Sequence, residues 1–263
     1  MLEVKNLTIK SGTQTLLQDI SFSLSPCKCL GLTGASGSGK TTIIKAIMGI
    51  LPKGCAITAG NIFLDGVELN KLSPKRHRSF CGSVMGFIPQ SPMTAFDPYQ
   101  KIGTQMEETF QICLNLPKEK AKKLSLEQLE KVNLKDSNRI MNAYPGQLSG
   151  GMLQRIAMAC LAGMNPHYIL ADEPTSALDE ENRNHLLKML RNQYNSAGIL
   201  FITHDTTALS SLCTEIMILD NKTIVERQNT NDIFHHPQQA WTKHFVSTLH
   251  IQEGDEWDWK DLK

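Results

Sequence analysis

The chain has 263 residues, enough for one large domain or two small ones around a substantial core. Hydrophobic residues make up 41% and charged residues 20%, an ordinary globular composition. The 27 basic side chains nearly cancel the 26 acidic ones, so no bulk field recruits nucleic acid or anionic lipid.

No run approaches the roughly 18 consecutive apolar residues of a membrane helix. The most apolar stretch, Ile156 to Met164, reads as a buried helix. The first residues, Met1-Leu2-Glu3-Val4-Lys5, lack the basic and apolar regions of a secretory signal, so any membrane link is expected through partners. The cysteines (27, 29, 55, 81, 113, 160 and 213) are odd in number and contain no CxxC, which favours reduced thiols over a zinc site or disulfide framework. Cys27 and Cys29 form a lone CxC and read as strand-edge packing.

Residues 1 to 33 read as short strands, with alternation in Leu2-Glu3-Val4-Lys5 and in Ile20-Ser21-Phe22-Ser23-Leu24. Leu30-Gly31-Leu32-Thr33 is a strand leading into a Gly/Ser cluster. Ile43, Ile44, Ile47 and Leu51 then lie on one helical face, with Pro52 and Gly54 as the stop. From about 91 to 165 the pattern is helical and more polar, with Pro117 opening a helix over Lys118 to Leu129. This reads as an inserted helical subdomain. Strand signals return at 168–171 and 199–202, separated by a helix over 180–194. Alternating strands and helices imply an α/β fold with a parallel sheet covered on both faces. Residues 251 to 263, with Trp257 and Trp259, read as a polar C-terminal tail.

Gly34-Ala35-Ser36-Gly37-Ser38-Gly39-Lys40-Thr41 matches G-x-x-x-x-G-K-[ST] between a strand and a helix, with Thr42 continuing the helix. In that setting backbone N–H groups curl inward at phosphate oxygens, and the helix N-terminus adds positive charge. Lys40 is placed for the β- and γ-phosphates and Thr41 for Mg²⁺. The strand at 168–171 ends in Asp172, a candidate Mg²⁺ holder, and Glu173, a candidate base for the attacking water. His204 ends the next strand, where it could reach the γ-phosphate. Gln90 closes an apolar segment, and its amide could contact both the metal and that water.

Leu148-Ser149-Gly150-Gly151-Met152 is a second glycine-rich helix start, which makes sense if it binds the γ-phosphate of a nucleotide held by another subunit. It resembles the signature sequence of ABC ATPases. The rest of that family's set appears in order around it: phosphate loop, Gln90, signature, Asp172-Glu173, Ser176-Ala177-Leu178-Asp179, then His204.

The resemblance covers roughly residues 2 to 250 and implies the ABC-ATPase form of the P-loop NTPase fold. That fold has a mixed sheet core, an N-terminal antiparallel β subdomain, and the helical insert within a domain spanning 1–250. It also implies head-to-tail pairing with a second ABC ATPase, identical or paralogous. Ser149 and Gly151 would then act in trans, and Ser176 to Asp179 would link the two sites. ATP and Mg²⁺ are the implied cofactors. The implied partners are that second ATPase, two integral-membrane permeases and, through them, an extracytoplasmic solute-binding protein, with no nucleic acid. The implied location is peripheral, at the cytoplasmic face of the inner membrane.

Gln90 to Pro98 resembles the segment after the glutamine in oligopeptide, dipeptide and nickel importers, and His236 to Lys243 resembles their C-terminal HP…YTK stretch. Met152-Leu153 resembles the nickel and metallophore branch, and the cysteine-bearing extension of many peptide-importer ATPases is missing. The expected substrate is nickel or another metal or metal chelate, with a di- or oligopeptide as the alternative. A soluble ABC ATPase acting on nucleic acid is a distant alternative, since it would bring coiled coils, a zinc module or tandem ATPase units; an exporter ATPase shares all the catalysis. One departure is Lys10-Ser11-Gly12, which lacks the ring that the family stacks on adenine. Lys75-Arg76-His77-Arg78 and Lys118 to Lys123 read as solvated surface, and His235-His236 as part of the family segment rather than a metal site.

Overall fold

The computed structural model describes residues 1–134, 136–176 and 178–247. Ala177, the C-terminal tail and the end of the expected 1–250 span lie outside the described residues.

The chain opens with strands β1 (Leu2–Ser11) and β2 (Gln14–Leu24), longer than the short strands expected. Each carries an irregularity that shifts its alternation. Asn6 and Asp19 take positive φ (49° and 53°), and the Asn6 amide donates to the Asp19 carboxylate at 2.7 Å. The slip lets Leu2, Val4, Leu7 and Ile9 all face inward despite irregular spacing. Strand β3 (Cys29–Gly34) is buried throughout and leads to helix α1 (Lys40–Ile47). Helix α1 stops before Leu51, the last residue of its expected apolar face. Its end is a Schellman turn, with Ile50 N–H on Lys45 O at 2.9 Å around Gly49 at φ 69°.

Strands β4 (Cys55–Leu64) and β5 (Val67–Glu68) add to the first pair, giving an antiparallel sheet of order β2-β1-β4-β5. Helix α2 (Pro74–Arg78) follows. Its Lys and Arg residues are exposed, as the surface reading requires, but His77 is not. Its imidazole is buried against Gly49 and its Nε2 lies 2.8 Å from the Ile47 carbonyl at the end of α1. Strand β6 (Met85–Ile88) then enters the second sheet.

Four helices come next: α3 (Ile102–Leu114), α4 (Lys118–Lys131), α5 (Ser137–Asn142) and α6 (Gly150–Met164). Helices α3 to α5 pack mainly on one another and on α6, and α6 packs on β6. There Gly86 leaves room for Leu161, since a β-carbon at 86 would fall 2.1 Å from its Cδ1. The apolar run Ile156 to Leu161 is largely buried within α6.

The rest of the chain runs β7 (Tyr168–Asp172), α7 (Glu180–Gln193), β8 (Gly198–Ile202), α8 (Thr206–Leu212), β9 (Glu215–Asp220), β10 (Thr223–Asn229), α9 (Thr230–His235) and α10 (Ala240–Ser247). The second sheet has the order β10-β9-β3-β8-β7-β6, parallel except for β10. Its central strands alternate between two apolar cores. Ile169, Ala171, Ile199, Phe201, Ile216 and Ile218 join the helices, while Leu30, Leu32, Leu170, Leu200, Ile202 and Met217 join α1 and the antiparallel sheet. The carboxyl ends of β3, β8, β7 and β6, neighbours in the sheet, all leave along one edge. Glu226 in β10 is buried and accepts from the N–H groups of Gln238 and Gln239 and from the Thr242 hydroxyl. This anchors the His236–Lys243 stretch to the sheet. Among the described residues, no helix is long and apolar enough to cross a membrane.

A candidate nucleotide site at the strand ends

The glycine-rich loop runs from the end of β3 to the first residue of α1, with Gly39 at the helix cap. Gly34 has φ 147°, and a β-carbon there would fall 2.0 Å from the Leu219 carbonyl oxygen, so only glycine turns the chain at this point. Ser36 and Gly37 are exposed at the tip, Ala35 and Ser38 are half-buried, and the Thr42 N–H closes back on Gly39 O at 3.0 Å.

Lys40 is buried, and its ammonium donates to the carbonyls of Gly34 (2.8 Å) and Ala35 (3.0 Å). Burial pushes its pKa down, while the carboxylates of Glu173 and Asp172 push it back up. The Thr41 hydroxyl donates to Asp172 Oδ1 at 3.1 Å, across from α1 to the end of β7. Burial raises the Asp172 pKa, opposed by the Thr41 hydroxyl and by Lys45 and Lys40.

Glu173 follows with φ 48° and hangs its N–H on Ile202 O at 2.8 Å, which joins the ends of β7 and β8. Its carboxylate lies 3.2 Å from His204 Nε2. Burial is the main cause raising the Glu173 pKa and also the main cause lowering that of His204, with Lys40 depressing His204 further. The contact therefore sets an imidazole nitrogen against a carboxylate at a place where burial disfavours the charged form of each.

Lys40, Thr41, Asp172, Glu173 and His204 thus meet at the edge that the sheet topology provides. Gln90 does not join them. It is exposed beyond β6, and its side chain makes no hydrogen bond among the described residues.

A second cluster lies at the starts of α6 and α7. Ser149 caps α6, its hydroxyl accepting the Met152 N–H at 3.3 Å, and both Ser149 and Gly150 are exposed while Leu148 is half-buried. Gly151 faces Asn182, whose side chain would meet a β-carbon there at 3.5 Å. Asn182 is in turn held by Asp179, the cap of α7, through its N–H (2.8 Å) and its amide. The Ser176 hydroxyl donates to Glu173 O at 2.9 Å, and the Leu178 N–H to Thr175 O at 3.2 Å, which ties the segment before α7 to the end of β7.

Four residues around these clusters were missed by motif reading: Thr175, Thr203, Asp205 and Arg183. Thr175 and Thr203 are buried hydroxyls 3.5 Å apart, and Arg183 reaches Asp205 at 3.6 Å. The available signal was weak: each is an ordinary residue within four positions of a motif residue.

The loop fits a polyphosphate. The Ser38 hydroxyl oxygen is buried without a partner among the described residues, and Lys40 is occupied only by the loop's own carbonyls. Thr41 and Asp172 offer hard oxygen donors side by side, the donor type Mg²⁺ takes.

Comparison with known proteins agrees. The family model described as ABC transporter matches residues 17–176. The metal-staphylopine import system ATP-binding protein CntD of Staphylococcus aureus is 33% identical over 267 residues, covering 97% of this chain and 98% of that protein. The probable D,D-dipeptide transport ATP-binding protein DdpD of Escherichia coli is 33% identical over 235 residues, covering 88% and 72%. Among solved structures, the dimeric ATP-binding cassette MJ0796 in a post-hydrolysis state bound to ADP and Pi superimposes with a TM-score of 0.74 at 26% identity, covering 88% of this chain and 99% of that one. The chain belongs to the ABC transporter family, as one of its ATP-binding, ATP-hydrolysing subunits.

Proposed function

We propose that this subunit drives an importer for a metal or metal chelate. The supporting observation is its full-length likeness to the metal-staphylopine import protein. The D,D-dipeptide relative, equally identical over a smaller share of its own length, favours a peptide as the second reading.

In this reading the backbone of Gly34 to Thr42 and the Lys40 ammonium hold the triphosphate. Thr41 and Asp172 would hold Mg²⁺, which would neutralise phosphate charge when bound, and Gln90 would join them once its exposed side chain turns toward the cluster. Glu173 takes the proton of the attacking water, and its raised pKa suits a base that must also release that proton. His204 holds the γ-phosphate and keeps Glu173 oriented. Leu148, Ser149, Gly150, Gly151 and Met152 of a second chain close over the phosphate, with Ser176, Ala177, Leu178 and Asp179 spanning the joint. Residues 91–165 move as a helical body, within a domain reaching about residue 250, and carry the motion to two permeases fed by a solute-binding protein. The subunit then works at the cytoplasmic face of the inner membrane.

Replacing Glu173 by Gln tests the chemistry. Hydrolysis should fall at least about a hundredfold while ATP binding persists, because only proton transfer is lost. Turnover near wild type would remove Glu173 from its assigned role. Purification from the native cell should recover two permeases and a second ATPase; a nucleic-acid complex in their place would overturn the importer reading.

A further inference from the structure

His204 is held from both sides by side chains outside the recognised motifs. Before it, Thr203 is 1% exposed, and its hydroxyl lies 3.5 Å from that of Thr175, itself 4% exposed and two residues past Glu173. After it, Asp205 donates its N–H to Thr203 Oγ1 at 3.0 Å and accepts the Ala208 N–H on Oδ1 at 3.1 Å, which caps α8. Its other oxygen faces Arg183 Nη1 at 3.6 Å. That separation is charge attraction, too long for a hydrogen bond. Arg183 lies in the first turns of α7, where its own N–H bonds to Asp179 O at 2.9 Å. Its Nε is buried and has no partner among the described residues, so the guanidinium is only partly engaged.

These contacts close a loop: end of β7, end of β8, start of α8, start of α7, and back through Asp179 to the segment that leaves Glu173. Among the described residues the imidazole itself has one side-chain partner, Glu173, and it is 42% exposed. Its position therefore depends on the backbone at 203–205, and productive proton and phosphate contacts tolerate little displacement.

We infer that Thr175, Thr203, Asp205 and Arg183 form a clamp that sets His204 against Glu173, with Arg183 relaying the position of α7 to it. All four are positioning residues, and the inference rests on the hydrolytic roles proposed for Glu173 and His204. Because the charged pair spans the junction of α7 and α8, a shift of α7 changes the Arg183–Asp205 distance directly. What a neighbouring chain does at Asp179 is thereby felt at His204.

A double-mutant cycle on the full chain assembled with its partner subunits tests this, read by single-turnover ATP hydrolysis. Arg183→Ala should slow the step about tenfold with KM for ATP changed less than about twofold. Arg183→Lys, which keeps the charge, should recover most of that loss. In the His204→Ala background the further effect of Arg183→Ala should shrink to under about twofold, because the residue it positions is gone. Should Arg183→Ala fail to fold, Asp205→Asn keeps the α8 cap, removes the charge and carries the same expectation. Equal losses in both backgrounds, or a rise in KM alone, overturn the clamp while leaving the catalytic assignment standing. His204→Ala with undiminished turnover would instead overturn that assignment, and the clamp with it.

Discussion

Asp179 shows how one side chain serves structure at the place where function is proposed. Its carboxylate caps α7 through the Asn182 N–H and also grips the Asn182 amide, and these bonds hold its pKa below the usual aspartate range. A carboxyl group with a depressed folded-state pKa stabilises above its unfolded value, and loses that contribution as pH falls through the folded one. Asp179→Ala should therefore lower Tm at pH 7, with the gap to wild type closing as the pH drops below the ordinary aspartate value; scans across pH 7 to 3 check this. Single residues were most legible where chemistry fixes spacing along the chain. Lys40, Thr41, Asp172 and Glu173 follow strands whose apolar runs announce them, and His204 follows another. Arg183–Asp205 and Thr175–Thr203 were not legible, because each joins two separate segments through residue types common on any surface. Gln90 was legible as a strand end, but its exposed side chain shows that placement beside an edge does not by itself bring an amide to the metal site.

Among the elements, the helices were read better than the strands. Pro117 opens α4, and the apolar run of α6 is buried, because helical periodicity survives over 14 and 15 residues. Strand β4 was missed since Gly60, at φ 83°, breaks its alternation where its register against β1 shifts. Strand β9 has only four buried apolar residues, too few to tell strand from buried helix. His77 defeated the surface reading because its charged neighbours hide a ring that packs inward. Within the helical layer, Phe110 of α3 lies fully buried where Gly163 of α6 leaves space, a β-carbon there falling 2.5 Å from the ring. Phe110→Ala should cost about 3–5 kcal/mol, since α3 and α6 cannot collapse fully into the void. Urea unfolding followed by circular dichroism measures this, with the midpoint moving down.

For the whole molecule, the six-stranded order could not be read from the chain, because strand neighbours depend on crossovers that leave no local mark. That order nevertheless explains why five site residues converge. The α6 start is different: Ser149 is exposed, and among the described residues its hydroxyl serves only its own helix. On the proposal that the site is shared between two chains, Ser149→Ala should leave ATP binding to the isolated subunit unchanged while slowing hydrolysis in the assembled pair about a hundredfold. Fluorescent-nucleotide titration and steady-state turnover separate the two effects.

The contact between Gly86 and Leu161 carries a mechanical consequence. Helices α3 and α4 pack on each other and on α6, and α6 rests on the outermost parallel strand where Gly86 offers no side chain and that of Leu161 fills the gap. With no side chain on the strand to yield, a small tilt of α6 at Gly86 would be carried outward to the far tips of α3 and α4. A methyl group inserted there would act as a shim, pushing Leu161 and with it α6 away from β6.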